Sequence, residues 1–310
     1  MLLATGLLLS VTGVARSQDH VVRIGYQKYG TLVLEKARGT LERRLQPVGV
    51  HVTWTEFLSG PALFEALGAG ALDFGIAGDA PPIFAQAGGV ELAYVGVEPA
   101  SPHGEAIIVP QGSPIHSVAD LKGKRVALNK GSNVHNLLVR VLAANGMSIH
   151  DVRTVFLAPS DARPAYESGS VDAWVIWDPY LAAAETAVPS RVVADGVGGD
   201  GKVVDENREF FFASRAFAQS SPALIHAMLA DIAATEAYAA AHRDEMVGLL
   251  APAMGMQPQA VKLAVDRLAF GVAPVTDTIL NSQQSIADTF ADLGLIPDKL
   301  NVRDMRWTSE

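Results

Sequence analysis

The spacing of apolar positions along this chain switches between two periods in a regular order. Val21-Val22-Arg23-Ile24-Gly25-Tyr26 is a short apolar run of strand type, and residues 31–45 then place apolar side chains at helical spacing. Val50-His51-Val52-Thr53-Trp54 alternates as a second strand. Pro61 to Leu67 reads as a helix opened by Ser59-Gly60, Phe74 to Ala77 as a third strand and Pro81 to Ala87 as another helix. Strands alternating with helices predict a mostly parallel sheet covered on both faces, an α/β architecture. Residues 222–295 are Ala-rich with helical spacing and are expected to pack back on the first part of the chain.

The pattern then restarts. Lys124-Arg125-Val126-Ala127-Leu128-Asn129-Lys130 matches Val22 to Lys28 in character. Gly70-Ala71-Leu72-Asp73 finds its counterpart in Gly169-Ser170-Val171-Asp172, and each turn feeds an apolar run that ends six residues later in a second aspartate, Asp79 or Asp178. Arg23 precedes Asp73 by 50 residues and Arg125 precedes Asp172 by 47, so a whole βαβαβ unit is repeated. Two such units predict two lobes with a cleft between them. Glu105 to Val109 and Glu209 to Ala213 are the candidate crossover strands, which would make a hinge. The expected division is a leader at 1–17, lobe I from 18–106 plus 211–310, and lobe II from 107–210.

Leu2 to Val14 is apolar but too short to span a bilayer, and Ala15-Arg16-Ser17 has small residues where a signal peptidase would cut. This predicts export to the periplasm, although no Lys or Arg precedes the apolar run. The net charge of −9 argues against nucleic acid or an anionic membrane surface as partner. The absence of cysteine excludes disulfides, thiolate metal sites and cysteine nucleophiles.

The sharpest chemical signal is Lys130-Gly131-Ser132-Asn133-Val134-His135, which follows a strand and opens a helix. Free N–H groups of a first helical turn, with the helix dipole, favour an anion; an ordinary N-cap at Ser132 is the plainer reading. Asp79 is followed by two prolines and Asp178 by one, which removes backbone donors, so both read as helix caps or cleft-lining acceptors. Gln27, Gly78 and Trp177 fall at the carboxyl ends of strands, where open α/β sheets bind ligands. No phosphate-binding loop, zinc-protease motif or nucleophile elbow is present, and Ser132 beside His135 lacks an orienting acid.

Nearly end to end, the chain resembles the periplasmic aliphatic-sulfonate-binding proteins of ATP-binding-cassette importers. The resemblance rests on Gly78-Asp79-Ala80-Pro81-Pro82-Ile83-Phe84-Ala85-Gln86-Ala87, Tyr94-Val95-Gly96-Val97-Glu98-Pro99, Val118 to Gly123, Lys130 to Leu138, and Val171-Asp172-Ala173-Trp174 with Ile176-Trp177-Asp178-Pro179-Tyr180. It implies a two-lobed type II binding-protein fold and delivery of ligand to an inner-membrane permease with a cytoplasmic ATPase. Relatives take taurine, nitrate or pyrimidine precursors; the pyrimidine-synthase branch relies on cysteine-rich segments, which this chain lacks. The expected protein is a monomeric, non-enzymatic carrier without cofactor or metal. Gly131, Ser132, Asn133 and His135 would hold a sulfonate, with Gln27 and Gly78 approaching from the other lobe. Trp177, Phe211 and Tyr29 would wall the organic tail. Glu98, Asp178 and Asp79 would line the cleft, the first two favouring a zwitterion over a dianion. Replacing Ser132 or Asn133 is expected to weaken binding with little effect on stability.

Overall fold

The computed structural model describes residues 20–308; the expected leader at 1–17 lies outside them. The first lobe starts with β1 (His20–Tyr26), α1 (Leu32–Arg38), α2 (Thr40–Leu45), β2 (Val50–Glu56), α3 (Gly60–Gly68), β3 (Phe74–Gly78), α4 (Pro81–Ala87) and β4 (Leu92–Val97). The second contains β5 (Glu105–Pro110), β6 (Arg125–Leu128), α5 (Asn133–Ala144), β7 (Arg153–Phe156), α6 (Pro159–Glu167), β8 (Ala173–Trp177), α7 (Tyr180–Ala187) and β9 (Ser190–Asp195). The chain then returns through β10 (Glu209–Ser214), α8 (Arg215–Ser220), α9 (Pro222–Ala241), α10 (Arg243–Met254), α11 (Pro258–Arg267) and α12 (Asp277–Asp292).

Two five-stranded sheets result, with orders β2-β1-β3-β10-β4 and β7-β6-β8-β5-β9. They are the same sheet built twice. In each, three parallel strands are followed by one antiparallel strand, and that strand enters from the far side of a lobe crossing. The crossings themselves run through 98–104 and 196–208. β5 belongs wholly to the second sheet and β10 wholly to the first, so the crossing backbone lies just before each strand.

The repeated Arg and Asp hold this frame together. The Asp73 carboxylate accepts from the backbone N–H of Arg23 at 2.8 Å and from its guanidinium at 2.9 and 2.6 Å. Asp172 does the same for Arg125 at 2.8, 3.2 and 2.8 Å. Each guanidinium also donates to the carbonyl of the turn glycine, Gly70 or Gly169. The Gly-x-x-Asp turn therefore ties the entry of β3 to β1, and that of β8 to β6, through a charge-assisted fork.

The helix read over 31–45 is two helices. Gly39 sits at φ 61°, in the left-handed region, and ends α1 while α2 starts at once. All five residues of β3 and of β8 are buried, as parallel strands covered on both faces require. The C-terminal helices mostly cover lobe I: α10 packs on α1 and α9 on α2. α11, however, packs against α7 of lobe II. One apolar core runs continuously from Leu63, Phe64 and Ile83 of lobe I to Val134, Leu137 and Ile107 of lobe II. The lobes are thus in contact around their junction.

Candidate functional site

The carboxyl ends of β1, β3, β6 and β8 meet at the junction, and the loops after them supply its side chains. Gly131 has φ 75°, which a side chain would strain, and a β-carbon there would touch Phe84 at 3.4 Å and Pro61 at 3.7 Å. The start of α5 is therefore covered by α3 and α4 of the other lobe. Across from it, a β-carbon on Gly78 would stand 2.9 Å from Asn133 Cβ and 3.0 Å from its Cγ. The predicted helix start and the predicted glycine turn thus face each other across the lobes.

Asn133 is engaged on the protein itself. Its amide donates to Glu105 at 2.7 Å and to Asn207 at 3.0 Å. Asn207 donates in turn to Tyr29 Oη at 3.3 Å and to the Ser101 carbonyl. Asn136, one turn along α5, donates to Asp205 at 3.0 Å and to Asp79 at 3.5 Å. Tyr29 is buried at the junction, against the backbone at Gly104. Gln27 is buried there too, its amide 3.4 Å from the Ile76 carbonyl.

Several expectations change. His135 does not face the junction's polar groups: its ring lies 6.0 Å from Phe84, 5.9 Å from Phe290 and 5.7 Å from Phe156. Its Nδ1 accepts from the Gly131 N–H at 3.3 Å. Ser132 donates its hydroxyl to the Asn129 carbonyl at 2.8 Å and makes no side-chain cap. A Ser–His nucleophile pair is therefore not formed. Phe211 is removed from any ligand wall because side chains alternate along β10. Phe210 and Phe212 face the core shared by the lobes, whereas Phe211 lies 6.2 Å from Phe74 in the separate core of lobe I. Trp177 is buried in the shared core, edge-on to Tyr180 at 6.1 Å.

The two aspartates are not helix caps of one kind. The caps of α4 and α7 are Ala80 and Pro179, without side-chain bonds. Asp79 instead faces Asn136. Asp178 accepts from the Ala182 N–H at 3.0 Å and pairs with Arg267 at 3.2 Å, and Arg267 also holds Glu185 at 2.6 Å. Glu98 is satisfied by Thr31, from its N–H at 3.1 Å and its hydroxyl at 2.5 Å.

Sequence reasoning missed Glu105 and Glu209, taking them only as the first residues of apolar strands. Their placement extends the internal repeat. Glu105 lies opposite Trp177, next to Asp178; Glu209 lies opposite Gly78, next to Asp79. A charged residue opening an otherwise apolar strand in both halves was the available signal.

Burial pushes these acids toward their neutral forms. Desolvation raises Glu209 to about 8, and Asp178 to about 7 despite the opposing pull of Arg267. Desolvation first, then the charge of Asp205, raises Asp79 and Glu105 well above the usual carboxylate range. Desolvation raises Asp205 itself to about 6. His135 goes the other way, to about 4, through desolvation and the charge of Lys130. A raised acid keeps a proton in the fold that the unfolded chain has released. Stability is therefore lost as pH climbs from the unfolded value toward the folded one. For His135 the folded value is the lower, so its contribution grows between about pH 4 and 6.5 and is then complete. Above about pH 6.5 the acids set the slope. The melting temperature is expected to fall from there to about pH 8, and Glu209→Gln to flatten the fall. One proton held only by the fold is worth about 1.4 kcal/mol per pH unit, which calorimetry across that window reads directly.

Comparison with known proteins agrees with this architecture. The family model described as NMT1/THI5 like matches residues 49–246. An aliphatic sulfonates-binding protein of Escherichia coli K12 is 40% identical over 98% of this chain and 95% of its own length. The solved alkanesulfonate-binding protein SsuA from Xanthomonas axonopodis pv. citri, bound to MOPS, superposes with a TM-score of 0.88 at 38% identity. That match covers 95% of this chain and all of the other. The periplasmic aliphatic sulphonate binding protein SsuA of Escherichia coli gives a TM-score of 0.82 at 40% identity over 94% and 98% of the two chains. With its twofold sheet, its facing lobes and these matches, the chain belongs to the NMT1/THI5-like family, among the aliphatic-sulfonate-binding proteins.

Proposed function

We propose that this protein captures alkanesulfonates in the periplasm and delivers them to an ATP-binding-cassette importer for sulfur acquisition. The observation that carries the reading is the opening of α5 at Gly131-Ser132-Asn133, set directly against the Gly78 turn of the other lobe. A sulfonate carries one negative charge at any working pH and needs donors without a competing proton equilibrium. The N–H groups of Asn133 and Val134, which have no partner among the described residues, supply two such donors with the helix dipole behind them. The MOPS bound by the Xanthomonas relative is itself an organic sulfonate.

Two hydrogen bonds to the head contribute roughly 3–6 kcal/mol gross, and association costs at least about 4 kcal/mol. Burial of the organic tail, at about 25 cal/mol per Å2, must make up the rest. Tyr29, at the junction, is our candidate for that contact. The protein acts as a monomeric carrier without turnover, and its remaining partner is a permease that reads the closed lobes.

A thermal-shift panel tests this. Ethanesulfonate, taurine, sulfate and nitrate are compared at equal concentration; a ligand at a hundred times its Kd stabilises by about 2.7 kcal/mol. Stabilisation by the alkanesulfonate supports the reading, whereas a response to nitrate alone overturns it. Asn133→Ala is expected to weaken sulfonate binding. Because it also strips Glu105 of its amide donor, it should cost about 1–3 kcal/mol of stability, more than the sequence alone suggests.

A further inference from the structure

The junction's unused hydrogen-bonding capacity is one-sided. Glu105 Oε1, Glu209 Oε2, Asp79 Oδ1 and Asn136 Oδ1 are all buried and without a partner. The protein offers none of them a donor, and the amide oxygen of Asn136 is not acidic. Glu209 stands out: no hydrogen bond to its carboxyl is present among the described residues. Its Oε2 lies 3.7 Å from where a β-carbon on Gly30 would be, beside Tyr29. Glu98, Asp79, Glu105 and Tyr29 face it as negative or neutral groups. Of the nearby cations, Arg208 is committed to Glu206 at 2.9 Å and Arg267 to Asp178 and Glu185, while the charge of Arg140 acts on Asp79 and Asp205 and not on Glu209. Among the described residues, no group of three or more acids and histidines is arranged to hold a metal ion.

Buried acceptors without donors are costly, and each is a place where a ligand that brings a donor gains. We propose that Glu209, supported by Glu105 and the Asn136 amide oxygen, selects sulfonates that carry a protonated amine over those with a plain alkyl chain. This rests on the sulfonate reading and refines it. The acids expected from the sequence to favour a zwitterion, Glu98 and Asp178, are already satisfied by Thr31 and Arg267. Their counterparts at the strand starts are the ones left open. The head would sit on α5 and the ammonium would donate to Glu209. Because that carboxyl is held neutral before binding, an arriving ammonium displaces its proton, and binding near pH 7 releases a proton to the buffer.

Isothermal titration with 3-aminopropane-1-sulfonate and butane-1-sulfonate decides the matter, since the two differ in replacing a terminal methyl with an ammonium. The full chain is expected to prefer the amine by about tenfold. Its heat should change with the ionisation enthalpy of the buffer, as proton release requires. Glu209→Gln, of nearly the same shape, should bring the preference below about threefold and remove the buffer dependence. Glu105→Gln, checked for a cooperative melt, serves as the second variant and should reduce the preference in the same direction. Equal or tighter binding of butane-1-sulfonate by the unmodified protein overturns this inference and leaves the sulfonate reading standing. So does a preference unchanged in both variants. Binding of neither compound overturns both.

Discussion

Arg267→Met should destabilise the protein by about 2–4 kcal/mol, the largest loss expected from one side chain. Asp178 is fully buried, and Arg267 is its only cationic partner among the described residues. Removing the guanidinium leaves that carboxyl with the Ala182 N–H alone and strands Glu185 as well. The loss stays at the lower end of what a broken buried pair costs, because Asp178 already sits at about 7 and can take up a proton. Urea unfolding at pH 8 should therefore show a larger effect than at pH 6, and Arg267→Met combined with Asp178→Asn should recover part of it. A loss below about 0.5 kcal/mol would mean that the pair behaves as an exposed one. Arg267 lies at the end of α11 on the C-terminal helical layer and Asp178 at the entry to α7 in lobe II, so the same change also loosens the lobes from one another.

Gly78→Ala should lower sulfonate affinity about tenfold or more while leaving the fold of lobe I nearly intact. The three atoms nearest the added carbon are Cβ, Cγ and Oδ1 of Asn133, at 2.9, 3.0 and 3.2 Å, all on the opposite lobe. The two close carbons lie at the root of that side chain, so they cannot swing away, and the clash is relieved only by parting the lobes. Overpacking of this kind costs about 1–3 kcal/mol, which is drawn from closure and hence from binding. Gly60→Ala is the contrasting variant. Its added carbon would meet Pro81 at 2.6 and 2.8 Å, within lobe I. It should lower the melting temperature without specifically weakening the ligand. If calorimetry finds the affinity of Gly78→Ala unchanged, the α5–Gly78 contact is not where the ligand is gripped.

The internal repeat was legible because it is written in local spacing. Strand and helix periods, turn glycines and the offset from Arg23 to Asp73 and from Arg125 to Asp172 are all properties of nearby or regularly spaced residues. The facing of Gly131-Ser132-Asn133 and Gly78 followed from the rule that strand ends gather at one edge. What failed was the direction of individual side chains. His135 looked like a ligand residue from its place in a helix start, yet it turns into a cage of Phe84, Phe156 and Phe290, residues far from it in sequence. Phe211 missed the junction by a single step of strand alternation.

The chain by itself determined the two α/β sheets, their common order of building and the junction between them, since backbone hydrogen bonding and burial of apolar faces allow few other arrangements. Tertiary structure alone decided which acids remain without partners. Glu98, Asp178, Glu105 and Glu209 are equivalent in composition, but Thr31 and Arg267 reach the first two, while the oxygens left bare on the other two depend on what the opposing lobe brings within 3 Å. A carboxylate's state depends on its non-local neighbours and its burial, and neither is a function of sequence spacing.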